Sequence, residues 1–258
     1  MKESFRRRLK RGDPLIGTLV TLASLETAEI MAEAGFDWLF VDMEHSTLDP
    51  PQVQAILQCV GERVDCVLRV PLNDEIWIKK ALDAGAAGIL VPQVNSIEDA
   101  RRAVRYSKYP LQGSRSVGMG RAHGYGAKSQ AYLDQANNNI AVIIQAENIE
   151  TVKNIEAIIT VEGIDAVLIG PYDLSASMGL MGQVDNLEVQ AAIESIRQIC
   201  QAHGMPLGIF ATKVERAKAY LQQGYNLIAC SGDTLMLAQA AVEIANELNL
   251  VSKDTKKR

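Results

Sequence analysis

The sequence predicts an α/β chain folded as a closed (β/α)8 barrel, the TIM-barrel architecture. Three observations predict it. First, eight short runs rich in β-branched and other apolar residues lie near 15–20, 37–42, 65–70, 87–92, 140–145, 164–169, 206–210 and 226–230, and each is followed by an amphipathic stretch. Second, several of these runs are almost continuously apolar, as expected of a strand covered on both faces. Third, the repeat is regular. His45 to Arg69 is 24 residues, Arg69 to Pro92 is 23 and Glu147 to Asp173 is 26, each matching one strand, one helix and two turns. A doubly wound open sheet is the main rival. It would carry a Gly-rich turn after its first strand, and Gly17-Thr18-Leu19-Val20-Thr21 offers none.

Taken in order, the chain opens with Phe5-Arg6-Arg7-Arg8-Leu9-Lys10-Arg11. Phe5 and Leu9 at i,i+4 fit a short helix with a solvated basic face, stopped at Gly12-Asp13-Pro14. The helices after the strands are expected near 24–34, 51–61, 74–84, 96–107, 148–160, 187–203, 213–223 and 233–248. Pro50 and Pro51 suit a helix start. Gly35, Gly85, Gly204 and Gly224 each follow a periodic apolar stretch, where a left-handed C-terminal cap is expected. The interval from Pro92 to Gln145 exceeds one repeat, so an insertion rich in Gly, Arg and Ser is expected near 107–139. The whole chain, 1–258, reads as one barrel domain, with a tail from Lys253 to Arg258 expected to fray.

Hydrophobic residues make up 48% of the 258, enough to bury a full core. The net charge of −5 argues against a nucleic-acid partner, which needs a basic face. No apolar run approaches the ~18 residues of a membrane span, and no signal-type stretch follows the basic N-terminus. Cys59, Cys66, Cys200 and Cys230 are scattered in apolar settings without a C-x-x-C pair, so they read as reduced core residues, and a cytoplasmic location follows.

Charged groups end the apolar runs: Asp42-Met43-Glu44-His45 after the second, Arg69 after the third, Gln145-Ala146-Glu147 after the fifth and Gly170-Pro171-Tyr172-Asp173 after the sixth. In a barrel of this kind the C-terminal strand ends form the active-site face. Glu147 and Asp173 follow adjacent strands, so their carboxylates can converge on a divalent ion; each could instead cap its local helix. Arg69 can bind a carboxylate or a developing enolate oxygen, or pair with a neighbouring acid. His45 is a candidate general base, or a structural histidine. His203 suits a helix C-terminus, and His123 lies in the insertion. The backbone after Gly170, with its rigid Pro171, could receive a substrate carboxylate on the N–H groups of Tyr172 and Asp173.

At these residues the chain resembles the HpcH/HpaI aldolases, metal-dependent pyruvate aldolases of the phosphoenolpyruvate/pyruvate barrel superfamily. The resemblance runs through Ala34-Gly35-Phe36-Asp37-Trp38, Asp42-Met43-Glu44-His45, Arg69-Val70-Pro71, Lys79-Lys80-Ala81-Leu82-Asp83-Ala84-Gly85-Ala86, Val91-Pro92-Gln93-Val94, Gln145-Ala146-Glu147 and Gly170 to Gly179. It implies His45 as the base, Asp83 as the acid that raises its basicity and Arg69 as the transition-state stabiliser. It implies substrate contacts at Gln145, Gly170, Tyr172 and Asp173, and metal ligation by Glu147 and Asp173. Tyr172 stands where the family pattern has a smaller residue such as Ala. Gly113-Ser114-Arg115-Ser116-Val117-Gly118 resembles the family's insertion, with Arg121 beyond it a candidate contact for the aldehyde.

The implied activity is reversible retro-aldol cleavage of a 4-hydroxy-2-oxo acid to pyruvate and an aldehyde, with Mg²⁺, Mn²⁺ or Co²⁺ and no organic cofactor. The implied assembly is a homo-oligomer, a hexamer, with the last helix packed on a neighbour. Three rivals are a Schiff-base aldolase using Lys213, a CoA-ester lyase and a non-catalytic keto-acid-binding barrel.

Overall fold

The structure, a computed structural model, describes residues 3–255, with side chains as far as residue 249. Its eight strands are β1 (Leu15–Val20), β2 (Trp38–Asp42), β3 (Asp65–Arg69), β4 (Gly88–Val91), β5 (Ala141–Ala146), β6 (Ala166–Ile169), β7 (Leu207–Ala211) and β8 (Leu227–Gly232). All pair in parallel, in chain order, and β8 closes on β1. The expected strands are therefore all present, with small differences at their ends.

Side chains alternate between the two faces of a strand, and this parity divides the core in two. The inward line holds Leu15, Trp38, Phe40, Val67, Leu90, Ile143, Leu168 and Ala229 in one buried cluster. The outward line packs against the helices in a second, larger cluster. Gly17 makes room for the inward Trp38: a Cβ there would lie 2.5 Å from the indole. The base of the barrel is closed by α1 (Phe5–Arg11), whose Phe5 and Leu9 join the inner cluster, with the Phe5 ring 6.0 Å from that of Trp38. Its basic face is not simply solvated, as the sequence suggested. Arg6 donates from Nε to both oxygens of Asp165 at 2.8 Å, and Arg8 reaches Asp37 at 2.6 Å.

The outer helices are α2 (Leu25–Glu33), α3 (Pro50–Val60), α4 (Glu75–Asp83), α5 (Ile97–Ser107), α6 (Ser129–Asn139), α7 (Ile149–Ile158), α8 (Pro171–Ser177), α9 (Leu187–Ala202), α10 (Val214–Gln222) and α11 (Asp233–Thr255). Short polar side chains start most of them: Ser24, Asp49, Asp74, Ser96, Asn148 and Asn186 each accept a first-turn N–H. The four expected cap glycines have φ of 90° (Gly35), 96° (Gly85), 64° (Gly204) and 89° (Gly224), the left-handed region that glycine enters without strain.

Two helices were not expected. α6 lies in the insertion behind a 3-10 turn, Arg121–Gly126; its apolar line is short, with Ala136 buried and Tyr132 and Leu133 partly buried against the core among polar residues. α8 is a single short helix begun by Pro171, and its sequence reads equally well as a loop.

α11 packs on the barrel through its first turns, where Asp233 is buried and Met236 lies against the core. There Asp233 accepts the N–H groups of Thr21 and Leu22, each at 2.8 Å, and fastens the β1 loop to β8. Farther along, Leu237, Val242, Ile244 and Leu248 are exposed. The helix runs past 248, the end expected, into the tail expected to fray; for 256–258 that expectation lies outside the described residues.

Candidate active site

The inward parity that fills the barrel also selects its mouth. The last inward positions are Asp42 on β2 and Arg69 on β3, while the β5 line continues from Gln145 to Glu147 and the β6 line to Gly170. These groups do not serve the core, since each apolar run is complete without them.

Asp42 and Arg69 are register partners on adjacent strands. The Arg69 fork donates to Asp42 at 2.8 Å (Nε to Oδ1) and 2.6 Å (Nη2 to Oδ2). Its Nη1 reaches Gln145 Oε1 at 3.4 Å, and the guanidinium lies 5.1 Å from the Phe40 ring centre. The ion pair considered at the sequence level is thus present, and Arg69 still lines the mouth. Asp42 Oδ1 also accepts the N–H of Glu44 (3.0 Å) and of His45 (3.3 Å), which fixes the loop that carries the imidazole. Burial would raise the Asp42 carboxyl, but Arg69 and those two N–H groups hold it below its ordinary value. The His45 ring is well exposed, with Nε2 3.8 Å from the Glu44 carboxylate.

Glu147 is 2% exposed. Its Oε1 accepts the Gln93 N–H at 2.8 Å, and its Oε2 accepts from the Gln145 amide. Gln93 aims that N–H inward from a left-handed backbone, φ 53°, uncommon for a residue with a side chain. Burial first, then the charges of Glu44 and Asp173, push Glu147 up to about 7. Burial also pushes Glu44 up to about 7, with Asp42 and Asp173 adding to the effect and Arg69 opposing it. Glu44 Oε2 is buried without a hydrogen-bond partner, although Arg69 Nε lies 3.2 Å away. Crowded, partly desolvated carboxylates are what a cation would relieve, so the donor set fits a divalent ion of the oxygen-preferring kind. Among the described residues, no three His, Cys, Asp or Glu side chains form a ready-made metal cage.

Between these groups lies a pocket of about 130 Å³. His45, Arg69, Gln145, Gly170, Tyr172 and Asp173 line its polar side, and Leu19, Phe40, Leu168 and Phe210 its apolar side. Gly170 keeps the space open, since a Cβ there would stand 3.0 Å from the Gln145 amide nitrogen and 3.2 Å from Glu147 Cβ. Tyr172 is 44% exposed at the rim.

Two site candidates lie elsewhere in the chain. Asp83 is the last residue of α4, which returns the chain to the N-terminal end of β4, so it sits at the opposite end of the barrel from His45. Its Oδ1 accepts from Arg115 at 2.6 Å; Arg115 is fully buried, with the Tyr109 ring 4.6 Å away and the Tyr132 ring 5.7 Å away. Arg121 is also at that end, where it donates to the carbonyls of Ala84 (3.0 Å) and Leu57 (2.8 Å), closing the C-terminal turns of α4 and α3. Within one chain, neither reaches the pocket. His203 caps α9 through Ile199 O at 2.9 Å, as expected, and His123 is buried against Tyr109, with Nε2 3.0 Å from the phenol oxygen.

Sequence reasoning passed over Asp42, Glu44 and Gln93. For the first two a signal existed, because both charges follow the β2 run in the segment that supplied His45. For Gln93 there was none, as its contribution is a backbone N–H in an unusual conformation.

A closed parallel barrel with carboxylates, an arginine and a histidine gathered at its C-terminal mouth belongs to the class of (β/α)8 proteins whose polar groups collect at that face. Residues 15–240 match the model of the family described as HpcH/HpaI aldolase/citrate lyase, and the chain belongs to that family. It is 43% identical over 249 residues to a 4-hydroxy-2-oxo-heptane-1,7-dioate aldolase of Klebsiella pneumoniae, covering 95% of this chain and 93% of the relative. It is 37% identical to a hydroxypyruvate/pyruvate aldolase of Paraburkholderia phytofirmans, with 93% and 95% covered. A solved structure of an HpcH/HpaI aldolase/citrate lyase family protein from Burkholderia cenocepacia J2315 superposes with a TM-score of 0.92 at 34% identity, over 96% of this chain and 100% of that one.

Proposed function

We propose that this chain is a divalent-metal-dependent pyruvate aldolase. It would cleave a 4-hydroxy-2-oxo acid, of the 2-keto-3-deoxy sugar acid or 4-hydroxy-2-oxo dicarboxylate type, reversibly to pyruvate and an aldehyde. The observation that carries this reading is the meeting of His45, Arg69, Gln145 and Asp173 around one pocket, with Glu147 buried beside it. The names of the relatives, both aldolases, point the same way.

Glu147 and Asp173 would hold the ion, Mg²⁺, Mn²⁺ or Co²⁺, which supplies electrophilic stabilisation of charge on a 2-oxo acid. The chain's own groups divide the remaining work. The backbone N–H groups of Tyr172 and Asp173, at the start of α8, receive the pyruvate carboxylate, and the Gln145 amide orients the keto group. His45 takes the proton from the 4-hydroxyl, after which the C3–C4 bond breaks and its electron pair passes into the enolate. Arg69 holds the developing enolate oxygen; a preorganised donor of this kind contributes about 3 kcal/mol. In the reverse direction His45 returns the proton to the new hydroxyl.

Asp83 can support His45 only from a second copy of the chain, because the two lie at opposite ends of one barrel. A homo-oligomer, a hexamer in our proposal, would supply that copy. The exposed Leu237, Val242, Ile244 and Leu248 of α11 give such an assembly an apolar surface to bury. A cytoplasmic setting agrees with four free cysteines.

The deciding experiment incubates pyruvate with a panel of aldehydes and each of several divalent ions. Ion-dependent formation of a hydroxy-keto acid and exchange of pyruvate methyl protons with solvent are expected. Undiminished turnover in exhaustively chelated protein would overturn the metal-dependent reading. Trapping of pyruvate by borohydride on Lys213 would favour the Schiff-base route instead, although that lysine is exposed and lies outside the pocket lining.

A further inference from the structure

The basic helix that opens the chain takes no part in the proposed reaction. Beneath it, at the N-terminal end of the barrel, α1, the end of α5, the following loop and the turn before β6 surround a cleft of about 570 Å³. Its walls carry three cations: Arg6 and Lys10, one helical turn apart on α1, and Lys108 just past α5. Gln112 and Asn138 also line it, with one lining acid, Glu162. Asp165 accounts for part of the charge, since it takes the Arg6 Nε at 2.8 Å and lies 3.5 Å from Lys10 Nζ.

Lys108 is the unusual member. It is 1% exposed, yet its ammonium bonds only to the backbone carbonyls of Asn137 (2.9 Å) and Ile140 (2.8 Å). The Asp165 carboxylate pairs directly with Arg6 and Lys10 instead. Burial first, then repulsion from Arg6, pushes this ammonium down to about 8; Lys10 and Arg115 add to the effect and the Asp165 charge opposes it. A buried cation that shares the charge of one carboxylate, Asp165, with Arg6 and Lys10 is incompletely compensated, and a bound anion would relieve it.

We propose that this cleft binds a small dianion, inorganic phosphate or a phosphate monoester, between Arg6, Lys10 and Lys108. A tetrahedral oxyanion accepts several hydrogen bonds at once and so suits cations approaching from two elements. The site is remote from the pocket, so the anion acts on stability, not on substrate affinity. Arg6 and Lys108 already grip carbonyls of Asn137, Asn138 and Ile140 at the end of α6. An anion bridging them fastens the insertion to α1. This inference is independent of the aldolase reading.

The test titrates inorganic phosphate into the full-length protein at constant ionic strength, following heat of binding and thermal unfolding, with chloride and succinate as controls. A saturable rise in the unfolding temperature is expected with phosphate, with a smaller effect of succinate and none of chloride. Lys10→Glu, a substitution at an exposed position, should weaken phosphate binding at least tenfold without disturbing the fold. Equal stabilisation of wild type and Lys10→Glu would overturn the proposal as a general salt effect. Competition between phosphate and pyruvate would overturn it as binding in the catalytic pocket.

Discussion

His45 and Arg69 line one pocket but are held so differently that their removal should read out differently. The exposed His45 supports nothing beneath it, so His45→Ala should lower kcat by about 10²- to 10⁴-fold and leave the unfolding midpoint unchanged. Arg69→Ala strands a buried Asp42 carboxylate; a loss of about 3–5 kcal/mol is expected in denaturant unfolding, beside a fall of about 10²- to 10³-fold in turnover. An Arg69→Ala protein as stable as wild type would contradict the ion-pair account. The carboxylates behave in the opposite sense. Glu147→Gln and Asp173→Asn should each abolish divalent-ion binding in calorimetry, yet the metal-free variants should be no less stable than wild type, because each removes a charge that crowds its neighbours.

At the scale of elements, the insertion after α5 is held by buried polar side chains as well as by the apolar contacts of Tyr132, Leu133 and Ala136, and one of the polar groups makes it sensitive to pH. Burial keeps the His123 imidazole below its ordinary value and hence neutral. As pH falls below about 6.5, the unfolded chain gains a proton there that the folded chain refuses, so stability declines. The stability gap between wild type and His123→Asn should therefore narrow from pH 7 to pH 5; a gap independent of pH would remove His123 from the account. Arg121 allows a second test. If its work is to satisfy the last carbonyls of α3 and α4, Arg121→Met should cost about 1–3 kcal/mol and leave the KM for aldehyde unchanged. A raised KM with normal stability would restore the substrate role that the family resemblance suggested.

At the scale of the whole molecule, Asp83 and His45 face opposite ends of a barrel whose last helix leaves apolar residues uncovered. Two individually impaired proteins, Asp83→Ala and His45→Ala, should recover activity when unfolded together and reassembled, since some interfaces then combine an intact Asp83 with an intact His45. Absence of recovery in verified mixed assemblies would separate Asp83 from the reaction. Replacement of Leu237 and Ile244 by Glu should shift the sedimentation of the protein toward smaller species.

The barrel itself was legible in the sequence because its signals are local. Nearly continuous apolar runs, a proline at a helix start and glycines past helix ends each act within a few residues, and their regular repeat located all eight strands. The group of polar residues at the mouth was legible for a related reason: charges that end apolar runs at a regular interval gather at the C-terminal face of a barrel. What the sequence could not decide was which charges meet. Asp42 pairs with Arg69 because β2 and β3 align in register across 27 residues of chain. Glu44 and Glu147 are raised by neighbours on other strands, and Gln93 contributes through a backbone torsion. The same limit applied to Asp83 and Arg121, whose place in the family pattern suggested proximity to the pocket; the direction of α4 carries Asp83 to the far end, and the insertion holds Arg121 there against the ends of α3 and α4. Pairings across the barrel, and the ends to which helices deliver their last residues, depend on closure of the sheet, which only the tertiary structure determines.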